Sequence, residues 1–231
     1  MKQTMILIPG WGGNEVLWQY QIERLRDFVN CKVIILDKQK SRDEMVEYIL
    51  QEAPVRFILA GQSMGGWISM KVAAKAPERV SKLILMNTWA SPDPKLNALQ
   101  KEVLRDLKNG DEESVLARHL PLVLHPKSLS NPDIIEKMHQ MFSHSKPKIL
   151  IDQMQAMLDD YTSLPLLNQI QCPTLIIHGK EDQLFPTAEQ EIIHKRIKNS
   201  ELKTIEKCGH CSPIEQPEET FELIKTFILK A

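Results

Sequence analysis

Four short apolar runs punctuate the first 90 residues: MILI at 5–8, VIIL at 33–36, FILA at 57–60 and LILM at 83–86. Near-continuous apolar runs of this length are the pattern of strands buried on both faces, as in a parallel sheet. Between them the apolar positions shift to helical spacing, over 16–28, 42–51 and 65–76. The rhythm stops after Asn87. It returns with TLII at 174–177, a helix over 188–197, a strand over 201–205 and a last helix over 217–229. Such alternation predicts an α/β fold: a mostly parallel sheet whose right-handed crossovers place helices on both faces.

The interval between the two blocks reads differently. SPDPKLN opens it with turn formers, and helical spacing follows over 99–108, 112–120, 132–142 and 147–159, with no strand pattern. Residues 91–166 are therefore expected to form a small helical cap, inserted into a core made of 1–90 and 167–231.

Composition narrows the partners. The chain has 231 residues, 42% apolar and 26% charged, with a net charge of −1. That suffices for a sizeable core and leaves no basic excess to hold nucleic acid or an anionic membrane, so neither is expected as a partner. No apolar run approaches the roughly 18 residues of a membrane span. Met1 leads within three residues into MILIPG, with no extended charged leader and small-residue cleavage site, so no signal peptide is expected. Four cysteines, at 31, 172, 208 and 211, are too few for a disulfide framework and fit reduced thiols in a cytoplasmic protein.

The sharpest chemical signal is Gly61-Gln62-Ser63-Met64-Gly65, which follows one apolar run directly and precedes a helical pattern. A strand that reverses into a helix within a few residues strains its central residue. Glycines two positions to either side let the two backbones approach, and the serine is held above the sheet edge at the positive end of the helix. The competing reading is a plain turn with a serine helix cap.

A nucleophilic serine needs a base, and the base needs an orienting acid. TLIIHGKEDQLFP supplies a strand and then a loop with Glu181 and Asp182; LKTIEKCGHCSP supplies the next strand and then His210. Both loops leave C-terminal strand ends, the edge where open α/β sheets place their sites. The six other histidines, His119, His125, His139, His144, His178 and His194, read as structural or surface residues, with His119 and His125 the two that can face the pocket from the insertion. The glycine-rich LIPGWGG at 7–13 follows the first strand and can aim backbone N–H groups at an oxyanion, with Trp11 and Met64 as the two donors.

Cys208-Gly-His-Cys211 also spells a redox or half-zinc motif. A disulfide isomerase needs that motif at a helix start early in its domain, and a zinc site needs about four ligands. No second Cys/His pair stands at suitable spacing, so His210 is taken as the base.

Over nearly its whole length the chain resembles the α/β-hydrolase superfamily. The stretches that carry the resemblance are 7–13, Gly61-Gln-Ser-Met-Gly-Gly66, APERVSKLIL, CPTLIIHGKEDQLFP and CGHCSPIEQPEE. It implies Ser63 as nucleophile, Asp182 as acid and His210 as base, because Asp182 occupies the family's strand-Gly-x-x-Asp position. Some relatives carry the acid after the strand that precedes the cap; Asn87 stands there and cannot hold a charge. Within the superfamily the chain is most similar to the esterases that demethylate pimeloyl-[acyl-carrier protein] methyl ester in biotin synthesis. It departs from them in having Pro9 where they usually have His, and in lacking their N-terminal hairpin.

The resemblance implies ester hydrolysis through an acyl-enzyme, with no metal or organic cofactor and a small-molecule or carrier-protein-linked ester as partner. Trp11, Met64, Leu120 and Leu122 are expected to contact substrate; Leu124, Met138, Met141, Phe142, Met154 and Met157 are further candidates for an acyl channel. Between 101 and 148 eight basic residues stand against seven acidic ones, which gives the cap no strong field for an acidic carrier. A general esterase or lactonase, a C–C lyase like the menaquinone-pathway synthase, and a receptor with a silent triad stay open.

Overall fold

Six parallel strands form one sheet in this computed structural model, which describes residues 2–91, 93–143, 145–160 and 162–230. They are β1 (Thr4–Ile8), β2 (Asn30–Val33), β3 (Phe57–Gln62), β4 (Val80–Met86), β5 (Thr174–Gly179) and β6 (Ser200–Ile205), in the order β2-β1-β3-β4-β5-β6. The strand order reverses between β1 and β3. A crevice opens at such a switch point, beyond the C-terminal strand ends. The chain leaves β1 into the glycine-rich loop and β3 into the Ser63 turn, so both meet at that crevice.

Successive strand residues feed opposite faces. Ile6, Ile8, Phe57 and Leu59 pack on one side with Trp67 and Ile68 of α3 (Met64–Lys75) and Met45 and Ile49 of α2 (Arg42–Glu52). Met5, Leu7, Ile58 and Ala60 pack on the other with Leu25 of α1 (Gln19–Leu25) and Phe221 and Ile224 of α12 (Pro217–Leu229). Between β4 and β5 the described residues form only helices: α4 (Pro94–Lys108), α5 (Glu112–Val123), α6 (Pro126–Leu129), α7 (Pro132–Ser143), α8 (Pro147–Asp159) and α9 (Leu164–Leu167). Thr187–Arg196 forms α10 and Ser212–Glu215 forms α11. His144 lies outside the described residues.

The structure departs from the apolar pattern in three places. β2 pairs over 30–33 rather than 33–36, because as an edge strand it is only partly buried. The buried Ile34 and Leu36 belong to the chain leaving it, and Ile34 N–H still donates to Leu7 O at 3.1 Å. The expected helix over 16–28 splits into a 3-10 turn, Glu15–Trp18, and α1. The short helices α6, α9 and α11 span four residues each, too few for periodicity; each has proline in its first turn, where its fixed φ favours helix entry.

Arg42 ties the core to the chain returning from the inserted helices. It is 2% exposed, with its guanidinium 4.3 Å above the Trp67 ring. It donates to Trp67 O, to Ser163 Oγ at 2.5 Å and to Thr162 O at 3.2 Å, and pairs with Asp160 at 3.5 Å. Burial, offset in part by Asp160, lowers its pKa to about 10. Arg42→Ala is expected to cost about 3 kcal/mol or more in urea unfolding, since it strands several acceptors at once. Arg42→Lys should recover less than half of that, because an ammonium cannot reproduce the planar fork.

Candidate active site

Ser63 sits at φ 54°, ψ −119°, a conformation that L-residues rarely adopt. The surrounding backbone leaves no alternative. A Cβ on Gly61 would stand 2.2 Å from Gly65 O, and one on Gly65 would stand 2.2 Å from Ile8 O. Only hydrogen at both positions lets β3, α3 and the end of β1 approach this closely. Ser63 N–H donates to Met86 O at 2.9 Å, and Thr88 Oγ1 donates to Ser63 O at 2.8 Å, so the end of β4 and the chain leaving it hold the turn. The Ser63 side chain accepts no N–H of α3, which removes the helix-cap reading. Its Oγ faces a cavity instead.

His210, 4% exposed, lines the same cavity. Its N–H donates to Val123 O at 2.8 Å and its carbonyl accepts from Gln62 Nε2 at 2.9 Å, so the residue beside Ser63 anchors the His210 backbone. His210 Nδ1 meets Asp182 Oδ2 at 2.9 Å. Asp182 Oδ2 also accepts from Asn87 Nδ2 at 3.0 Å, and Oδ1 accepts from the N–H groups of Leu184 and Phe185 at 2.9 and 3.1 Å. Burial acts to raise the Asp182 pKa, but the His210 ring, the Asn87 amide and the Phe185 N–H outweigh it and hold the carboxyl below its ordinary range. Phe185 packs against the imidazole at 5.2 Å between ring centres. No hydrogen bond joins Ser63 Oγ to His210 among the described residues; such links are commonly loose without substrate and tighten in the reacting complex.

The loop after β1 packs directly on this turn: a Cβ on Gly10 would stand 3.1 Å from Ser63 Cβ. Neither Trp11 N–H nor Met64 N–H donates to a protein acceptor among the described residues. The helical insertion holds the loop in place. Gly12 N–H donates to Gln153 Oε1 at 3.0 Å, Trp11 Nε1 donates to Leu150 O at 3.0 Å, and Ser145 Oγ donates to Gly12 O at 2.9 Å.

The cavity measures about 750 Å³ with its open mouth included. Met138, Met141, Phe142, Met154 and Met157 line it, as the sequence suggested. Leu120, Leu122 and Leu124 do not, and here the expectation is corrected. On α5 the residues that reach the cavity are His119 and Val123, which share a helix face at i and i+4. Leu120 and Leu122 point elsewhere, Leu122 into a neighbouring crevice. Met64 is 1% exposed and its side chain packs in the core, so it does not line the cavity. His125 is not a cavity residue either: its Nδ1 accepts from Lys127 N–H and caps α6. His178 meets Thr187 and His194 meets Ser200. Asn87, Gln153 and Glu215, whose carboxylate accepts from both His125 and Cys211 N–H, went unnoticed as supports. Asn87 alone left a signal, standing where some relatives place the acid.

Cys208 and Cys211 are free and buried, and burial pushes both thiols above their ordinary pKa. A redox-active pair needs the reverse.

His119 stands between the rings of Trp11 and Phe142. Burial, and then the nearby His210, lowers its pKa to about 4. An unfolded histidine titrates near 6.5, so between those values the unfolded chain binds the extra proton. Stability is full above pH 6.5 and falls as pH drops toward 4. Asp182 acts in the same direction further down, its contribution fading as pH falls below about 4. Between pH 7 and pH 4.5, His119→Phe should lose about 2–3 kcal/mol less than the parent in urea unfolding.

A parallel α/β sheet with this serine turn, acid–imidazole pair and loop at one switch-point crevice defines a hydrolase architecture. Residues 40–217 match the alpha/beta hydrolase fold family, and the chain belongs to that family of enzymes. It is 26% identical over 248 residues to a pimeloyl-[acyl-carrier protein] methyl ester esterase of Hamiltonella defensa, covering 99% of this chain and 94% of the relative. It is 28% identical over 181 residues to a 2-hydroxymuconate semialdehyde hydrolase of Pseudomonas putida, covering 75% and 62% respectively. Among solved structures, a thermophilic esterase from Thermogutta terrifontis superposes with a TM-score of 0.86 at 25% identity, covering 99% of this chain and 90% of the other.

Proposed function

We propose that the protein is a serine carboxylesterase working through an acyl-enzyme. The observation that carries this reading is the buried Asp182–His210 pair opening onto the same cavity as Ser63 on its strained turn. Ser63 Oγ attacks the ester carbonyl while His210 takes its proton. Asp182 fixes the tautomer and stabilises the imidazolium. Trp11 and Met64 N–H groups hold the oxyanion, and a donor of this kind typically lowers the barrier by about 3 kcal/mol. His210 then protonates the leaving alcohol, and water repeats the attack.

We read residues 91–166 as a cap that sets specificity, since α4, α5, α7 and α8 all contribute to the cavity wall. Among the described residues that wall carries no Lys, Arg, Asp or Glu. Arg118, the cation a C–C lyase acting on carboxylates would want, lies outside the cavity and pairs with Asp106. This supports a neutral, largely apolar ester. The methyl ester of a pimeloyl chain on an acyl-carrier protein fits, the carrier staying outside; four free thiols agree with a cytoplasmic setting.

A chain-length series of methyl esters, free and carrier-linked, tests this by kcat/KM. Neutral methyl esters should be hydrolysed, and half-esters with a free distal carboxylate should be at least about 10-fold poorer, since the wall gives a buried charge no partner. Preference for the linked pimeloyl ester would select the biotin-pathway reading; indifference to the carrier would select a general esterase. No turnover of any ester would leave the C–C lyase and the receptor.

A further inference from the structure

Five glutamines are buried among the described residues, and four are committed. Gln21 donates to Pro213 O, Gln62 to His210 O, Gln153 to Leu36 O and Gln190 to Thr88 O. Gln100 is the exception. It is 8% exposed, lines the Ser63 cavity from α4, and has no hydrogen-bond partner among the described residues. His119, on the adjoining α5, lines the same cavity, and neither of its ring nitrogens has a hydrogen-bond partner there. Its ring is fixed by edge contacts with Trp11 at 5.4 Å and Phe142 at 6.1 Å. Their polar atoms are open to the cavity rather than sealed in the core, and a few well-placed polar groups in an apolar wall are how ligand cavities fix orientation.

We propose that Gln100 and His119 form a polar subsite for a neutral group that both donates and accepts hydrogen bonds, an amide or a hydroxyl, carried by the substrate away from its scissile ester. The amide of Gln100 offers two donors and an acceptor; a neutral imidazole offers one of each. Neither brings charge, and Leu96, Leu99 and Val103 surround them on α4, so a carboxylate gains nothing there. Burial keeps His119 neutral at pH 7. The inference rests on the esterase reading, which places the scissile bond at Ser63 and the rest of the substrate against the cap.

The test uses methyl esters with a carboxamide or hydroxyl moved stepwise along the chain, each paired with a hydrocarbon analogue of equal length. For the parent enzyme the polar-to-apolar ratio of kcat/KM should peak at one chain position, by about 10–100-fold over its neighbours. Gln100→Met and His119→Phe should each remove most of the peak. Calorimetric binding of the same esters to Ser63→Ala separates the two claims. A peak in binding without turnover in the parent would sink the esterase reading and keep the subsite. A flat profile in both assays, or a peak that survives both substitutions, would overturn the subsite. The parent profile alone decides if a variant fails to fold.

Discussion

Ser63→Ala is expected to lower kcat for ester hydrolysis by about 10⁴–10⁶-fold, the range seen when a triad nucleophile is removed. The loss should fall on kcat, because the cavity walls and both oxyanion donors remain. Residual hydrolysis above the water rate should persist, since positioning and the oxyanion site act without the hydroxyl. Stability should barely change: Ser63 Oγ makes no hydrogen bond among the described residues, and alanine inherits the same backbone strain. Matched Tm values with lost turnover of p-nitrophenyl butyrate would meet the expectation. Normal turnover would refute the assignment.

Asp182→Asn should cost about 10⁴-fold in kcat, for a reason visible in its contacts. Oδ1 accepts from two backbone N–H groups, and Oδ2 accepts from Asn87 and His210. An asparagine must place its NH2 on one side. The two fixed backbone donors keep the oxygen at the Oδ1 position, so the NH2 faces Asn87 and His210. The imidazole then presents a bare Nδ1 and carries its proton on Nε2, where it cannot accept from Ser63. Substrate affinity should be kept, and the pH–rate profile should shift with the imidazole. A loss confined to KM would contradict this role.

What the sequence disclosed follows from what is local. β1, β3, β4 and β5 are buried on both faces and so read as unbroken apolar runs; β2 at the edge does not. The serine turn was legible because backbone crowding dictates its glycines. Asp182 and His210 were legible as loop residues after consecutive strands. The cavity wall was not. Pro121 lies within α5, and the phase that sends Val123 inward and Leu122 outward is set by its packing against α4 and by the bond from His210 N–H to Val123 O. Gln100 and His119 look like the polar face of amphipathic helices until that face is seen to border the cavity. Gln153 and Asn87 act through partners 141 and 95 positions away, which no local pattern records.

The central claim is that the Ser63 hydroxyl, His210 and the two backbone donors converge on one reacting carbon. The most direct measurement is a crystal structure after treatment with an alkyl p-nitrophenyl phosphonate. The account predicts phosphorus bonded to Ser63 Oγ, with its phosphoryl oxygen within about 3 Å of both the Trp11 and Met64 nitrogens. Phosphorus on another side chain, or an oxygen turned away from both N–H groups, would contradict it.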